Sequence, residues 1–276
     1  MKIIITGASG FIGSLIYKKL KSLHYDVVRV SRKKIYGYYF SKDYLSLPDG
    51  DVLIHLGESS NRGLVNEQGE KLFLQNKNII KHINEKKYYK VIYGSSSLVY
   101  GDKITEPRNE KEKTTVSDNY SKIKIFSENN LNHSNNIVFR LSNVYGNGMS
   151  KDNVISDILS QLRKKEPMIL RQLNPVRDFI YIDDVIDAFI AAIKTDHSGI
   201  FNVGSGVSLS IRSLTKKILD LDNQPNRIIE SSHEHLATKS HISLDITRIC
   251  NIMPRLPLVC LDEGLLNIIF NEKKHD

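Results

Sequence analysis

The first thirteen residues constrain the fold of this chain most strongly, because an apolar run passes directly into a turn that contains three glycines. Residues 2–6 read K-I-I-I-T, the short β-branched run that a fully buried parallel strand needs. Gly7, Gly10 and Gly13 follow, and the apolar spacing after them predicts an amphipathic helix over about residues 11–22. The order of strand, glycine turn and helix predicts the first unit of a doubly wound parallel α/β sheet.

The same turn predicts a dinucleotide site. Gly7 and Gly10 permit a tight turn in which backbone N–H groups at a helix N-terminus approach a pyrophosphate, and Gly13 lets the helix lie close to the strand. The spacing is G-x-x-G-x-x-G rather than the commoner G-x-G-x-x-G, and a glycine triplet alone could be an ordinary loop. Its place between an apolar strand and an amphipathic helix favours cofactor binding by this segment, namely by Gly7, Gly10, Phe11, Ile12 and Gly13.

The second predicted strand, over about residues 26–30, ends in a cationic segment. A site selective for NAD would carry Asp or Glu there to bind the ribose 2′-hydroxyl. This chain has Ser31, Arg32 and Lys33 instead, followed by another lysine. Guanidinium and ammonium groups pair with phosphate, so these residues favour the 2′-phosphate of NADP(H) over NAD. A solvated basic loop after the strand is the alternative.

Tyr120 and Lys124 have the spacing of a proton-transfer pair. An i, i+4 separation places a phenol and an ammonium on one helix face. The cation can then lower a phenol pKa that is ordinarily about 10, so that the tyrosine exchanges a proton with a hydroxyl or carbonyl near neutral pH. Alone, this spacing could equally be an incidental pair on a solvated helix.

Seven motifs occur along the chain in a fixed order, and together they resemble the extended short-chain dehydrogenase/reductases of the nucleotide-sugar epimerase/dehydratase group. They are T-G-A-S-G-F-I-G at 6–13, D-V-L-I-H-L-G at 51–57, S-S-S-L-V-Y-G at 95–101, Y-x-x-x-K at 120–124, R-L-S-N-V-Y-G at 140–146, R-D-F-I-Y-I-D-D-V at 177–185 and F-N-V-G-S-G at 201–206. The resemblance implies a Rossmann-type doubly wound parallel sheet in residues 1–150, with a return segment near 176–206. It also implies a smaller C-terminal lobe, mainly 151–276, that binds substrate.

The resemblance implies catalytic roles for four positions. Ser96 would hydrogen-bond the reacting sugar oxygen, although Ser95 or Ser97 could be the working serine instead. Tyr120 would be the acid/base. Lys124 would hold the nicotinamide ribose and lower the tyrosine pKa, so Tyr120 and Lys124 also count as cofactor-binding residues. Asn76 corresponds to a helix asparagine involved in positioning and proton relay, and a purely structural role is the alternative.

Further binding roles are also implied by the resemblance. Asp43 would lie beside the adenine, and Leu56 and Gly57 would line the adenosine with backbone. Asn143 and Arg177 match positions that contact the diphosphate of a sugar nucleotide, besides the contact of Ser96 with the sugar.

Acidic residues close to Arg177 in the sequence allow other interpretations of this predicted substrate-binding segment. A structural ion pair of Arg177 with Asp178 or Asp183 is the alternative to diphosphate binding. Asp183 and Asp184 resemble helix-capping residues more than catalytic ones.

The residues at the active-site strand limit which reactions of this group the chain is expected to catalyse. The 4,6-dehydratases of this group carry a threonine followed by Asp-Glu, where this chain has Ser96-Ser97-Leu98, so dehydration is not expected. An NADP-dependent 4-keto-6-deoxy-sugar reductase and a 4-epimerase with bound NAD remain. The cationic segment and the compact C-terminal lobe favour the reductase, acting in activated-sugar biosynthesis for a surface polysaccharide or similar glycan. A non-catalytic NADP-binding protein is a third reading, which the joint presence of serine, tyrosine and lysine disfavours.

The composition of the chain argues against several other classes of protein. The net charge of +8 comes from cations dispersed over several elements, so no nucleic-acid partner is expected. No apolar run of 18 residues occurs, the first residues belong to the predicted core rather than to a removable signal, and the cytoplasm is the default expectation. Cys250 and Cys260 form neither a disulfide framework nor a metal motif.

The resemblance implies a homodimer built on the helices near 70–86 and 119–132.

Overall fold

The computed structural model describes residues 1–131, 133, 135–164, 166–233 and 240–274. Its strands are β1 (Lys2–Thr6), β2 (Asp26–Ser31), β3 (Tyr39–Phe40), β4 (Val52–His55), β5 (Lys90–Ser96), β6 (Ile137–Leu141), β7 (Asn143–Tyr145), β8 (Met168–Leu170), β9 (Val176–Tyr181), β10 (Gly199–Val203), β11 (Ser208–Ser210) and β12 (Ile229–Ser231). Its helices are α1 (Phe11–Ser22), α2 (Arg62–Glu85), α3 (Asn119–Leu131), α4 (Val154–Gln161), α5 (Ile182–Lys194), α6 (Ile211–Leu221) and α7 (Leu261–Lys274).

Seven parallel strands form the central sheet in the order β10-β6-β5-β4-β1-β2-β3, which confirms the predicted doubly wound fold. The interior strands are buried on both faces, as a parallel sheet covered by helices requires. The chain winds one way from β1 through β2 and the other way from β4 onward. The crevice at this reversal, outside the carboxyl ends of β1 and β4, is where doubly wound sheets bind ligands.

Helix α1 has the predicted bounds, whereas α2 begins well before the predicted start near residue 70. Asn61 caps it, because its side-chain oxygen accepts a hydrogen bond from the backbone N–H of Leu64 at 2.9 Å. Gly69 then interrupts the helix with φ 47° and ψ −118°. This glycine breaks the apolar periodicity, so the sequence pattern indicates only the part of α2 that follows the kink.

A smaller set of elements packs at the carboxyl edge of the sheet. Strand β9 pairs with β7 in parallel and with β11 antiparallel, while β8 and β12 form a separate parallel pair. Within the return segment expected near 176–206, β9 thus lies in the small sheet, and β10 lies beside β6 in the central sheet. Among the helices that the structure describes, none is both long and apolar enough to cross a bilayer.

Helix α3 is joined to β6 by a buried ion pair. The Arg140 guanidinium donates from Nη2 to Oε2 of Glu128 at 2.7 Å and from Nε to both carboxylate oxygens. Ser95 donates its hydroxyl to Oε1 of Glu128 at 2.5 Å, and the guanidinium lies 4.6 Å from the ring centroid of Tyr100. Both charged side chains are almost inaccessible, with 4% and 2% exposed. Each charge therefore depends on the other for its stability in the core.

We expect Glu128→Gln to lower the free energy of unfolding by about 3–5 kcal/mol, because it leaves the Arg140 charge buried without its counter-ion. Urea denaturation at neutral pH measures this change. Glu70→Gln is the matched control, since Glu70 pairs with Lys122 at 2.9 Å on the surface, and its effect should stay below about 1 kcal/mol. Equal losses in the two variants would contradict the assignment.

Candidate active site

The glycine turn after β1 approaches the end of β4 through backbone atoms alone. Gly7 has φ +68°, and a Cβ on it would overlap the carbonyl oxygen of Leu56. A Cβ on Gly13 would overlap the carbonyl oxygen of Gly7, so α1 lies directly against the turn. Among the described side chains none caps α1 at Gly10, and the first turn has no acid. The N–H groups at this helix start, with the positive end of the dipole, therefore suit a pyrophosphate.

Tyr44 supports this turn, and the sequence reasoning missed it. Its phenol oxygen accepts a hydrogen bond from the backbone N–H of Gly7 at 3.2 Å, and its ring packs where a side chain on Gly57 would lie. The preceding residue, Asp43, is exposed and accepts a hydrogen bond from the backbone N–H of Leu45 at 3.1 Å. The predicted contact of Asp43 with adenine stays a prediction. No sequence pattern points to Tyr44, because its role depends on a tertiary contact with the glycine turn.

The cationic segment after β2 lies next to Tyr44. The Arg32 guanidinium is 5.5 Å from the centroid of the Tyr44 ring. The Ser31 hydroxyl oxygen is buried and accepts a hydrogen bond from the backbone N–H of Lys33 at 3.0 Å. The structure therefore brings Arg32 towards the glycine turn and uses the Ser31 oxygen to form the local turn. Binding of a 2′-phosphate by these three residues stays a prediction.

Tyr120 and Lys124 lie on one face of α3, and both side chains are buried. The Lys124 ammonium donates to the carbonyl oxygen of Gly94 at 2.9 Å and pairs with Oε2 of Glu58 at 2.8 Å. It lies 5.9 Å from the centroid of the Tyr120 ring. The predicted proximity of phenol and cation is therefore present, but the cation already has a buried counter-ion that the sequence analysis did not anticipate.

Glu58 is the centre of a buried hydrogen-bond network. Its Oε2 accepts the Tyr93 hydroxyl at 2.5 Å in addition to Lys124, and its Oε1 accepts the Ser127 hydroxyl at 2.6 Å. Asn76 donates from Nδ2 to the Ser127 oxygen at 2.7 Å. Asn76 thus reaches Lys124 through Ser127 and Glu58, and its buried Oδ1 has no partner among the described residues. A carboxylate just beyond a strand end at the binding edge is the signal that could have identified Glu58.

The charges in this network set the pKa values of its members. Burial by itself would raise the pKa of Glu58, but the Lys124 ammonium and the other partners of the carboxylate together outweigh burial, and the pKa is lowered. Burial and the adjacent Glu58 carboxylate raise the pKa of Tyr93 well above its ordinary value. At neutral pH the carboxylate is therefore ionised while Tyr93 remains a phenol that donates to it.

The three serines of the active-site strand have different environments. Ser95 donates its hydroxyl to Glu128 in the core, and Ser97 is buried in the short 3₁₀ turn that follows β5. Ser96 is the half-buried member, and its oxygen accepts only a local hydrogen bond from the backbone N–H of Leu98 at 3.2 Å among the contacts described. Its hydroxyl hydrogen is therefore the one best placed for a substrate oxygen, which favours Ser96 over its neighbours.

The predicted substrate residues lie in the small sheet. Asn143 is exposed and donates from Nδ2 to the carbonyl oxygen of Asp178 at 3.2 Å. Arg177 donates to Ser240 Oγ at 2.6 Å, and Ser240 in turn donates to Asp102 at 2.5 Å. The alternative pairing of Arg177 with Asp178 is not formed, because that carboxylate accepts hydrogen bonds from Ser205 and Gly206. Contact with a diphosphate stays a prediction for Asn143 and Arg177.

The capping role expected of Asp183 and Asp184 is wrong, because both residues lie inside the first turn of α5. Residue Tyr181 occupies the N-cap of α5, without a capping side-chain hydrogen bond in the described structure. The buried Asp184 carboxylate instead accepts hydrogen bonds from the backbone N–H groups of Leu258 and Val259, at 2.9 and 3.3 Å. The reason is tertiary, because these two amides have been brought against α5 and require an acceptor there.

Asp118 joins α2 to the start of the helix that carries Tyr120 and Lys124. Its Oδ2 pairs with Arg62 Nε at 2.5 Å, and its Oδ1 accepts from the backbone N–H of Ser121 at 2.8 Å. Burial by itself would raise the pKa of Asp118, but hydrogen bonds from Ser121, Arg62 and Asn66 outweigh it and lower the pKa to about 2. The ionised carboxylate thus holds the N-terminal end of α3 in place.

Comparisons with known proteins show which proteins this chain is similar to. A family model described as "NAD dependent epimerase/dehydratase family" matches residues 3–204. The chain is 29% identical over 201 residues to dTDP-4-dehydro-6-deoxyglucose reductase from Escherichia coli, an alignment that covers 68% of this chain and 63% of that protein. It is 27% identical over 243 residues to a putative UDP-glucose 4-epimerase from Methanocaldococcus jannaschii, which covers 77% of this chain and 79% of that protein.

A solved structure has the same fold. TunA, an NAD-dependent NDP-hexosamine 5,6-dehydratase involved in tunicamycin biosynthesis, matches with a TM-score of 0.87 at 21% identity. The match covers 100% of this chain and 98% of that chain. At this level of identity the likeness concerns the fold.

We expect Asp118→Asn to lower stability at neutral pH and to have less effect as the pH falls. The folded pKa of about 2 lies below the ordinary value near 3.9, so the ionised carboxylate stabilises the fold fully above about pH 4 and loses this effect as the pH approaches 2. Urea midpoints of both proteins at pH 7, 4 and 2.5 measure the difference. A difference that stays constant over this range would contradict the assignment.

Proposed function

The chain belongs to the NAD dependent epimerase/dehydratase family, and from that premise we propose that it is an NADP(H)-dependent reductase of a nucleotide-linked 4-keto-6-deoxy sugar. The resemblance inferred from the sequence motifs is confirmed by the family model. The observation that carries the choice of a reductase is the cationic end of β2, where Arg32 and Lys33 replace the acid of an NAD site. The similarity to the E. coli reductase supports the same choice.

The residues at the carboxyl edge of the sheet fit the cofactor. The N–H groups at the start of α1 would bind the pyrophosphate, because the first turn has no acid to oppose it, and Gly7 would allow its close approach. Leu56 and Gly57 would line the adenosine, with Asp43 beside the adenine. Arg32 and Lys33, with the Ser31 hydroxyl, would hold the 2′-phosphate of NADP(H). NAD is the alternative cofactor, as in the NAD-dependent TunA.

The proposed reaction uses three side chains of the chain. The Tyr120 phenol donates its proton to the C4 oxygen of the keto sugar while the Ser96 hydroxyl hydrogen-bonds that oxygen. The Lys124 ammonium stabilises the phenolate that remains, and it would hold the nicotinamide ribose when the cofactor is bound. NADPH, when bound, supplies the hydride that reduces C4. The carbonyl thereby gains one hydride and one proton and becomes an alcohol.

Substrate binding is proposed for the small sheet. Asn143 and Arg177 would contact the diphosphate, and the guanidinium offers the paired donors that phosphate oxygens require. Arg177 already donates a hydrogen bond from Nη2 to Ser240 Oγ. A bound diphosphate would add to the contacts of the guanidinium and would not replace this hydrogen bond. A homodimer through α2 and α3 is proposed from the family resemblance.

A nucleotide-sugar 4-epimerase with bound NAD is the second candidate. The observation in its favour is the putative UDP-glucose 4-epimerase from Methanocaldococcus jannaschii, whose alignment covers 77% of this chain, against 68% for the reductase. In that reaction Tyr120 would first accept and then return the proton, and no cofactor would be consumed. A non-catalytic NADP-binding role is disfavoured by the joint presence of Ser96, Tyr120 and Lys124.

The first experiment follows the absorbance of added NADPH with a panel of nucleotide 4-keto-6-deoxyhexoses. A parallel assay offers nucleotide hexoses without added cofactor. We expect stoichiometric loss of NADPH with one keto sugar, which would also identify the substrate. Interconversion of two hexoses without net change in cofactor would replace the reductase by the epimerase.

Tyr120→Phe should reduce kcat by about 10²-fold or more, because it removes the proton donor while preserving the buried ring. Binding of NADPH, measured by fluorescence titration, should remain nearly unchanged. Turnover equal to that of the unmodified protein would remove Tyr120 from the mechanism.

The double variant Arg32→Ala, Lys33→Ala should weaken NADPH binding by about tenfold or more, since each charge-assisted hydrogen bond contributes about 1.5–3 kcal/mol. NADH binding should change little. Lys18→Ala removes an exposed cation of α1 and serves as the control for a nonspecific effect of charge. Equal weakening of both cofactors in the double variant would exclude selective recognition of the 2′-phosphate.

A further inference from the structure

Glu58 is a buried carboxylate that the proposed reaction does not use, although it lies at the carboxyl edge of the central sheet. It follows Leu56 and Gly57 directly after β4, and only 5% of its side chain is exposed. Donors from two other elements converge on it, namely Tyr93 of β5 and Lys124 of α3. A buried charge with this many partners is fixed in position.

The Lys124 ammonium is correspondingly constrained. It has three N–H groups, and within the described part of the chain Glu58 and the Gly94 carbonyl accept two hydrogen bonds from it. Glu58 follows β4 and Gly94 lies on β5, so these two acceptors hold the ammonium from different elements. Its third N–H group is thereby restricted in direction. It is the donor that remains for a ribose hydroxyl, close to the ring of Tyr120.

We propose that Glu58 is a positioning residue, which keeps Lys124 protonated and directs its remaining N–H group towards the cofactor and Tyr120. Through the hydrogen bonds of Ser127, the same carboxylate links Asn76 to Lys124. The catalytic part of this inference rests on the proposed function. The effect of Glu58 on Lys124 is a property of the protein alone.

The electrostatic argument concerns every charged or titratable group that faces Lys124. They are His55 of β4, Glu58 after β4, Tyr93 of β5, and Tyr120 and Glu128 of α3. Burial by itself would lower the pKa of Lys124, but Glu58, Tyr120 and Glu128, with Glu58 first among them, together outweigh it and raise the pKa. Glu58 is the one that contacts the ammonium.

His55 is a further titratable neighbour of Glu58. Burial lowers its pKa to about 4. It is therefore uncharged near neutral pH and does not compete with Lys124 as a second cation for the carboxylate.

The test measures the titration of Lys124 by NMR of protein labelled with ¹³C at lysine Cε, with no nucleotide added. Lys124→Arg identifies the resonance. We expect Lys124 to stay protonated throughout the neutral range in the unmodified protein, and its pKa to fall by at least about one unit in Glu58→Gln. Glu70→Gln, which removes an exposed carboxylate that pairs with Lys122, should leave the titration of Lys124 unchanged. An unchanged titration in Glu58→Gln would overturn the proposal.

Turnover gives a second readout. In Glu58→Gln we expect kcat to fall by about 10–10² fold with a smaller change in KM, because the cation is misplaced rather than absent. The defect should increase as the pH rises, since Lys124 then loses its proton within the assay range. Glu58→Asp, which keeps the charge, should restore the pH dependence at least in part. A uniform loss at all pH values, without rescue by Asp, would indicate a structural role only.

The outcomes separate the two proposals. If no sugar nucleotide is turned over, the proposed function fails, while the titration still decides the effect of Glu58 on Lys124. If turnover occurs but Lys124 titrates alike in both proteins, the function stands and the role of Glu58 is wrong. If Glu58→Gln does not fold, the unmodified protein decides, because loss of the Lys124 proton below about pH 8 in that protein would refute the proposal.

Discussion

The backbone contact between the glycine turn and the end of β4 determines how the cofactor edge is built. Because Gly7 and Gly13 have no side chains, the turn lies against the Leu56 carbonyl and α1 lies against the turn. This proximity leaves the N–H groups of α1 directed outward at the reversal of the sheet. It also brings the segment after β4, including Gly57 and Glu58, beside the residues that follow β5.

A layer of buried charge lies between β5 and α3. Tyr93 and Ser95 are two residues apart on β5, so they point to the same face of the sheet, and each donates to a different buried carboxylate. Glu58 holds the Lys124 ammonium, and Glu128 holds the Arg140 guanidinium. Helix α3 is therefore fixed by two ion pairs of high geometric quality. Hydrophobic packing alone would define the angle and register of such a helix less strictly, and its tyrosine and lysine would be placed less accurately.

This arrangement gives the proposed chemistry a specific electrostatic setting. A phenol that must transfer a proton benefits from a nearby cation, but a buried cation without a counter-ion tends to lose its own proton. The Glu58 carboxylate supplies the counter-ion that Lys124 needs to keep its proton. Its negative charge also weakens the positive field of Lys124 at Tyr120. Tyr120 and Lys124 come from α3, whereas the carboxylate that supports them follows β4. These elements meet at the carboxyl edge of the sheet.

Much of the fold could be predicted from local patterns. The apolar run of β1, the glycine spacing and the periodicity of α1 all depend on neighbouring residues, and the structure confirms the elements that they predict. The start of α2 was missed, because Gly69 interrupts the pattern within the helix. The pairing of Tyr120 with Lys124 could be predicted too, since one helical turn separates them. Asp184 shows the opposite case, because its acceptor role depends on amides more than 70 residues away in the chain.

The sequence by itself determined the order of strands and helices, the glycine turn and the residue types available for proton transfer, because these depend on local conformation and spacing. Only the tertiary structure decided which groups share a buried environment. It placed Tyr44 beneath Gly7, separated Ser96 from its two buried neighbours and paired Lys124 with Glu58. The physical reason is that the energy of a buried charge or hydrogen bond depends on distances across the fold, and sequence separation does not encode those distances.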